Sequence, residues 1–267
     1  MKRAAALLAA LFWATGCAVT RIKPAVPVMA ADPAPLTSAL EEYNRLDWPV
    51  RISGRIKGDG PALDYGGRAV PGLGTRFDAV MGPMAKLVFS AACIDQESCE
   101  IYFPDENKLY RDASPGTAEW LRAFLTGRVV KIGPTSGASA DATGSLVLNI
   151  AGPGGRWEKV FFSVDGRLPE RVIYGEAGDP ASFEIKFADF ESVGGRFFPT
   201  TVTLGGSLRG QEIVFHADTI ERTPEPSGAI LKIRTLPGVE VEEPMGRDAW
   251  KKLGMFWTPK DWAAEKR

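Results

Sequence analysis

Side chains that could perform acid–base or nucleophilic chemistry form no recognisable catalytic motif in this chain of 267 residues. His216 is the single histidine, and no Ser-His-Asp order or two-histidine metal motif can be assembled from it. Asp189 and Glu191 flank Phe190 near the end of a predicted strand, where solvated carboxylates are expected. There is no Gly-x-Ser-x-Gly elbow, and the Gly-Leu-Gly at 72–74 lacks the third glycine of a dinucleotide loop. The sequence therefore predicts a protein that is not an enzyme and needs neither cofactor nor metal.

The thiol of Cys17 stands at the end of an export signal. Two basic residues precede an apolar run over 4–14, which is shorter than the roughly 20 residues of a membrane-spanning helix and is typical of a cleaved signal. The Ala-Thr-Gly-Cys at 14–17 resembles the bacterial lipobox, in which the cysteine receives a diacylglycerol and becomes the acylated first residue. This resemblance implies a signal over 1–16 and lipidation of Cys17. An ordinary secretory signal with a chance cysteine is the alternative.

The residue after the lipobox and the overall charge predict the location. Residue 18 is Ala rather than the Asp that retains similar lipoproteins in the inner membrane, so we expect an outer-membrane anchor with the domain in the periplasm. Two or three acyl chains hold a protein durably, whereas one is marginal. The formal net charge of −1 gives no basic excess for nucleic acid.

Two further cysteines, Cys93 and Cys99, lie close together in the sequence. An oxidising compartment favours a disulfide between them, with Asp95 to Ser98 forming the tip of a hairpin. Two free thiols are the alternative. A metal site is not favoured, because no second cysteine pair accompanies them.

The elements that would position these residues are mostly strands. Prolines over 17–37 predict an extended tether, and a helix follows in which Ser38 and Glu41 have capping-box spacing. From Val50 onward apolar and polar residues alternate, which indicates strands with one buried face. The predicted strands are 50–57, 63–70, 75–82, 86–92, 99–104, 107–111, 145–150, 156–163, 169–175, 182–190, 196–204, 211–217 and 229–234.

Three other segments complete the organisation of the chain. A helix is predicted over 115–126, because Ser114-Pro115 suits its start and Gly127 its end. Small residues predict a mobile loop over 134–144. A domain over 38–236 is followed by a charged extension over 237–267, which we expect to pack back on the domain rather than to lie at a membrane interface. The whole predicts one long antiparallel sheet, curved or partly closed, with two helices available to cover it.

Five blocks in the same order along the chain resemble the outer-membrane lipoprotein receptor LolB. They are Ile-Ser-Gly-Arg-Ile at 52–56, Met-Gly-Pro-Met-Ala-Lys-Leu at 81–87, Ala-Glu-Trp-Leu at 118–121 with Leu-Thr-Gly at 125–127, Gly-Arg-Leu-Pro at 166–169 with Phe-Glu-Ile-Lys-Phe-Ala-Asp-Phe at 183–190, and Phe-Pro at 198–199 with Thr-Val-Thr-Leu at 201–204. The resemblance implies an α+β fold, a half-open antiparallel β-barrel of about 11 strands under a helical lid. It also implies a monomeric receptor that takes acylated lipoproteins from a LolA-like periplasmic carrier and places them in the outer membrane.

The same resemblance assigns residues to this task. The loop over 82–85, with Pro83 and Met84, would project into solvent, and the flexible thioether of Met84 suits an adaptable lipid contact. The alternative is that Met84 is tucked into the core. The apolar face of a curved sheet can enclose a lipid-sized cavity, although a filled core has the same periodicity. The residues expected to line the cavity are Ile52, Phe77, Val88, Ile101, Trp120, Phe124, Phe183, Ile185, Phe187, Val202 and Phe215.

A second function stays open at this point. The chain could be a structural accessory lipoprotein of an envelope or secretion assembly, with a filled barrel. The loop over 134–144 or the extension over 237–267 would then be the docking surface.

Overall fold

The computed structural model describes residues 29–58, 60–94, 98–112, 117–141, 143–178, 182–206, 212–224 and 231–243. Cys17, the signal and the end of the extension lie outside these ranges. The strands are β1 (Met29–Ala31), β2 (Val50–Lys57), β3 (Leu63–Val70), β4 (Gly74–Met81), β5 (Lys86–Ile94), β6 (Ser98–Phe103), β7 (Lys108–Asp112), β8 (Thr135–Ala140), β9 (Leu146–Ala151), β10 (Arg156–Phe162), β11 (Pro169–Glu176), β12 (Ser182–Val193), β13 (Arg196–Gly206), β14 (Ile213–Arg222) and β15 (Glu240–Glu242). The α-helices are α1 (Pro33–Asn44) and α2 (Thr117–Thr126).

The described strands form one open sheet in the order β1-β8-β9-β10-β11-β12-β13-β14-β2-β3-β4-β5-β6-β7-β15. Two runs of consecutive antiparallel strands, β2–β7 and β8–β14, are joined through the pairing of β14 with β2. Only β15, which runs parallel to β7, departs from the antiparallel pattern among the described pairs. The predicted barrel of about 11 strands is therefore corrected to an open sheet of fifteen described strands. The additional strands β1, β8 and β15 lack the large alternating apolar residues by which strands are recognised in a sequence.

The first helix begins earlier than its predicted start at Ser38. Asp32 caps it by accepting a hydrogen bond from the Ala34 amide at 3.0 Å, and Pro33 occupies its first turn, where the missing N–H costs nothing. Residues 29–37, predicted as tether, are thus strand β1 and the start of α1. Leu40 is buried beneath α1 on the β8–β13 half of the sheet.

The segment predicted as a mobile loop over 134–144 is mostly strand β8. It pairs with β1 on one side and β9 on the other. Ala138 is buried in the core under α1, and the hydroxyls of Thr37 and Thr135 lie 3.2 Å apart. The small side chains that suggested a loop instead let a helix pack directly on this strand.

The C-terminal segment lies on the outer face of the sheet, opposite the helices. Residues 231–234, predicted to be part of a strand, are not a strand, but Leu231 is buried there. The backbone N–H of Leu236 donates to the Tyr102 hydroxyl at 3.1 Å, and β15 then extends the sheet beside β7. Residues 237–243 of the predicted extension therefore pack on the domain. No helix within the described ranges is long and apolar enough to cross a membrane.

Candidate functional site

The inner face of the sheet, which carries both helices, is apolar but unevenly covered. Its side chains form two buried clusters, one under α1 on β8–β13 and one under α2 on β2–β7. We call the end that carries the turns 58–62 and 82–85 the open end, because inner-face side chains there are only partly buried. These side chains are Ile56, Leu63, Phe89, Phe183, Ile213 and Phe215. An apolar surface that the protein's own side chains cover incompletely is what a hydrocarbon ligand requires.

A row of aromatic rings crosses five adjacent strands of this face. Consecutive ring centroids lie 5.4, 5.6, 6.1 and 5.8 Å apart. The rings belong to Tyr65, Phe77, Phe89, Phe103 and Tyr110. Phe215 contacts Tyr65 and Phe77 edge-on and packs against both clusters, so it joins the two halves of the face. Offset and edge-on rings give this floor a defined shape.

The predicted cavity residues fall into two groups, which differ in how far their side chains are buried. Those packed within the clusters with 5% exposure or less are Ile52, Phe77, Ile101, Ile185, Phe187 and Val202. Those only partly buried on the same face are Phe124, Phe183 and Phe215. The side chain of Trp120 lies outside the described residues, although its backbone is in α2. The structure thus brings most predicted residues to one face, but only the partly buried ones are accessible to a ligand.

Val88 is a correction to the predicted cavity. The register of β4 and β5 shifts so that Ala79 faces Phe89 while Val80 faces Leu87, which leaves Val88 as the extra residue of a bulge. Phe89 is on the regularly paired side of this bulge, two residues before Ala91, and both belong to the packing under α2, whereas Val88 packs against neither cluster.

The turn at 82–85 projects from the open end. The Ala85 amide donates to the Gly82 carbonyl at 3.0 Å, and Gly82 has a φ of +73°, which glycine adopts without strain. Pro83 is exposed, and the side chain of Met84 is 92% exposed. Met84 is therefore not tucked into the core, and it lies at the same end as the partly buried apolar residues.

Sequence reasoning missed Arg128, which is 4% exposed at the other end of the inner face. Its guanidinium carbon lies 4.7 Å from the Tyr43 ring centroid and 4.3 Å from that of Phe198, and Nη1 donates to the Phe197 carbonyl at 2.7 Å. Burial lowers the pKa of Arg128 and raises that of Tyr43. Because the Tyr43 hydroxyl also donates to the Gly127 carbonyl at 2.5 Å, α1 is tied to the end of α2.

Replacing Tyr43 by phenylalanine is expected to lower the free energy of unfolding by about 1–2 kcal/mol, because it leaves the buried Gly127 carbonyl without its donor. The raised pKa of Tyr43 stabilises the fold below the ordinary phenol pKa of about 10, and this contribution is lost as pH rises above it. The variant should therefore lose less stability than the parent between about pH 9 and 11. Urea unfolding at several pH values measures both effects.

Tyr65→Phe is the matched control for this prediction. The Tyr65 hydroxyl makes no hydrogen bond with any described residue, although burial also raises its pKa. We expect almost no loss of stability at neutral pH for this variant. Equal losses in the two variants would contradict the role assigned to the Tyr43 hydrogen bond.

The cysteine pair lies beneath α2. Cys93 and Cys99 face one another across β5 and β6 and are joined by a disulfide, against which Leu121 packs. It therefore links two strands under the helix. Across the described ranges, no three His, Cys, Asp or Glu side chains are grouped closely enough to hold a metal ion.

Comparison with known proteins identifies this architecture, a large open sheet with helices on its inner face. No family model matches the chain, and no curated protein matches it by sequence. A LolA superfamily protein from Nitrosomonas europaea matches with a TM-score of 0.51 and 11% identity over 76% of this chain and 99% of that one. A DUF1329 family protein from Desulfovibrio piger matches with a TM-score of 0.51 and 13% identity over 76% of this chain and 98% of that one.

The chain therefore has a LolA-like fold. This confirms the resemblance of the sequence blocks as far as a LolA/LolB-like fold with a large antiparallel sheet, but not the barrel. At these identities the likeness concerns the fold alone, and function has to be argued from the site.

Proposed function

We propose that this protein is a lipid-binding lipoprotein of the LolB kind. It is anchored in the outer membrane through Cys17, receives acylated lipoproteins from a LolA-like periplasmic carrier and releases them into that membrane. One observation carries the proposal: partly buried apolar side chains gather at the open end of the inner face, where the exposed Met84 projects.

The physical argument concerns the acyl chain. Each buried methylene contributes about 0.8 kcal/mol, so a hydrocarbon tail gains affinity from every ring of the inner face that it covers. Transfer without a nucleotide must run toward higher affinity for the chain. An inner face that covers the tail incompletely has a lower affinity for it than the bilayer has, because the bilayer removes the tail from water more fully. Release of the tail from the protein into the bilayer then meets this condition. No chemical step is part of this proposal.

The packing of Ile52, Ile185 and the other fully buried residues favours a second candidate, an accessory lipoprotein whose core is filled. Such a protein would bind no lipid and would dock through its surface. Residues 135–140 belong to the sheet, so they do not form the loop surface considered for docking. The extension beyond residue 243 would then be the docking segment.

The discriminating experiment uses a form in which residues 1–17 are replaced by a cleavable export signal. The purified protein is titrated with a fluorescent fatty acid and mixed with a LolA-like carrier loaded with an acylated lipoprotein. The proposal expects saturable fatty-acid binding and removal of the lipoprotein from the carrier. A folded sample with neither activity would support the filled-core candidate.

Replacing Phe215 by aspartate in the same form should weaken fatty-acid binding by about tenfold or more, because it removes a large apolar contact and places a charge beside the hydrocarbon. Phe215 contacts both halves of the inner face. The matched control is Phe197→Asp, because Phe197 is 47% exposed and points to the outer face next to the buried Phe198. Equal binding by the two variants would place the ligand elsewhere.

A further inference from the structure

Three arginines lie side by side on the outer face of the sheet, away from the lipid-binding face. Arg51 on β2 is directly opposite Arg68 on β3, and Arg68 is directly opposite Arg76 on β4. Like charges in directly opposed positions destabilise a sheet unless something neutralises them. This row therefore requires a physical explanation.

Within the described residues, an ion pair neutralises one of the three arginines. Arg76 donates from Nε and Nη2 to the Asp78 carboxylate at 2.9 and 3.1 Å, and from Nη1 to the Lys232 carbonyl at 2.6 Å. Ser90 also donates to the Asp78 carboxylate. Arg51 and Arg68 make no ion pair or hydrogen bond to a side chain of the described chain. Glu221 on β14 is directly opposite Arg51 on its other side but forms no ion pair with it, so the two guanidinium groups keep their donors unused.

A neighbouring arginine shows the usual arrangement. Arg55, on the same strand and face as Arg51, lies 3.6 Å from the Asp64 carboxylate and 3.9 Å from that of Asp218. Among the described residues, Arg51 and Arg68 differ from Arg55 in forming no ion pair with a carboxylate.

The arginine row borders a groove of about 370 Å³. Its floor is the backbone of β3 at Gly66, where a Cβ atom would meet nothing within 4 Å. The lining carries three arginines and one aspartate and thus has a formal charge of +2. The lining residues are Arg51, Gly66, Gly67, Arg68, Arg76, Asp78 and Val80.

We propose that this groove binds the phosphate group of a ligand, with Arg51 and Arg68 as its two principal contacts. A guanidinium presents paired N–H donors that match two phosphate oxygens, and two adjacent guanidinium groups offset both charges of a phosphate monoester. The groove lies within the size range of ligand sites, so a phosphate with a small alcohol attached fits it. Because Asp78 is already neutralised by Arg76, it opposes the anion little.

The test is a calorimetric titration of the full-length protein in an uncharged detergent. The probes are inorganic phosphate and glycerophosphoglycerol, which is a phospholipid headgroup diester without acyl chains. A probe that binds should do so with one molecule per chain, and its affinity should fall as salt is added. Tighter binding of inorganic phosphate than of the diester identifies a free phosphate as the ligand, whereas tighter binding of the diester identifies a lipid headgroup. Neither probe can occupy the apolar face, so this result is independent of the proposed lipid transfer.

Two variants and one control make the assignment specific. The double variant Arg51→Gln and Arg68→Gln should bind about tenfold more weakly, and Gly66→Val should weaken binding by filling the groove without changing its charge. Arg55→Gln removes one charge from the same face and should change the affinity by less than about twofold. Without phosphate, the double variant should be at least as heat-stable as the parent, because a like-charge contact is removed. Absent binding of both probes, or an equal effect of Arg55→Gln, would overturn the proposal.

Discussion

Replacing Met84 by glutamate is expected to slow the release of an acylated ligand into lipid vesicles by about tenfold or more, while the affinity for the ligand stays unchanged. The side chain of Met84 is 92% exposed at the tip of the turn over 82–85, so it takes no part in holding the fold. Burying a methionine side chain in hydrocarbon gains about 1.5–3 kcal/mol, whereas a carboxylate there costs energy. The measurement is the rate of fluorescence change when a protein loaded with a labelled acyl ligand is mixed with vesicles.

The fold supplies a matched control for this experiment. Val164 is 90% exposed on the turn between β10 and β11, at the opposite end of the sheet from Met84. Val164→Glu therefore adds the same charge to an equally exposed apolar position. Release should be unaffected in this variant. If both variants slow release equally, overall charge rather than the turn over 82–85 governs transfer.

Replacing Gly67 by valine is expected to lower the free energy of unfolding by about 2–3 kcal/mol. A Cβ atom at this position would lie 2.5 Å from Leu125 Cδ1 and 2.7 Å from the Arg76 carbonyl oxygen. Leu125 belongs to α2, so room for the new side chain requires α2 to move away from the sheet, while the Arg76 carbonyl on the neighbouring strand forces the backbone of β3 to shift. The expected loss follows from overpacking a buried helix contact, and urea unfolding followed by circular dichroism measures it.

Gly66→Val is the control, because the two glycines are neighbours on opposite faces of β3. A Cβ atom on Gly66 meets nothing within 4 Å, and valine favours a strand more than glycine does. Stability should therefore be unchanged or slightly higher in this variant. A similar loss in both variants would show that the backbone of β3, and not its contact with α2, makes glycine necessary.

The sequence predicted the strands whose one face is buried and the helix that has clear end signals. The structure has β2 and β3 at the predicted bounds, because strict alternation and the turn between them leave only one register. The segments 29–31 and 135–140 were not predicted as strands. Their residues are small because α1 packs on them, and a contact with a distant helix leaves no periodic signal.

The site was predictable only in part. Phe183, Phe215 and the other alternating residues face inward as predicted, but alternation does not reveal how far a helix covers them. Val88 was assigned to the wrong face, because Leu87, Val88 and Phe89 are all apolar and show no alternation that would choose between the two faces. The surroundings of Arg128 depend on contacts with Tyr43 and Phe198, which are far from it in the chain.

The pairing of β14 with β2 has a consequence for the order in which the protein folds. Each run of hairpins, β2–β7 and β8–β14, is built from contacts between segments close in the chain, whereas β14 and β2 come from its two ends. Contacts between segments distant in the chain form slowly, and a strand edge is prone to aggregate for as long as it remains unpaired. The edge of β2 that pairs with β14 therefore stays unpaired until β14 has been synthesised. The inner face exists as one surface only after β14 has paired with β2, so the candidate site is incomplete in a chain that has not yet formed this pairing.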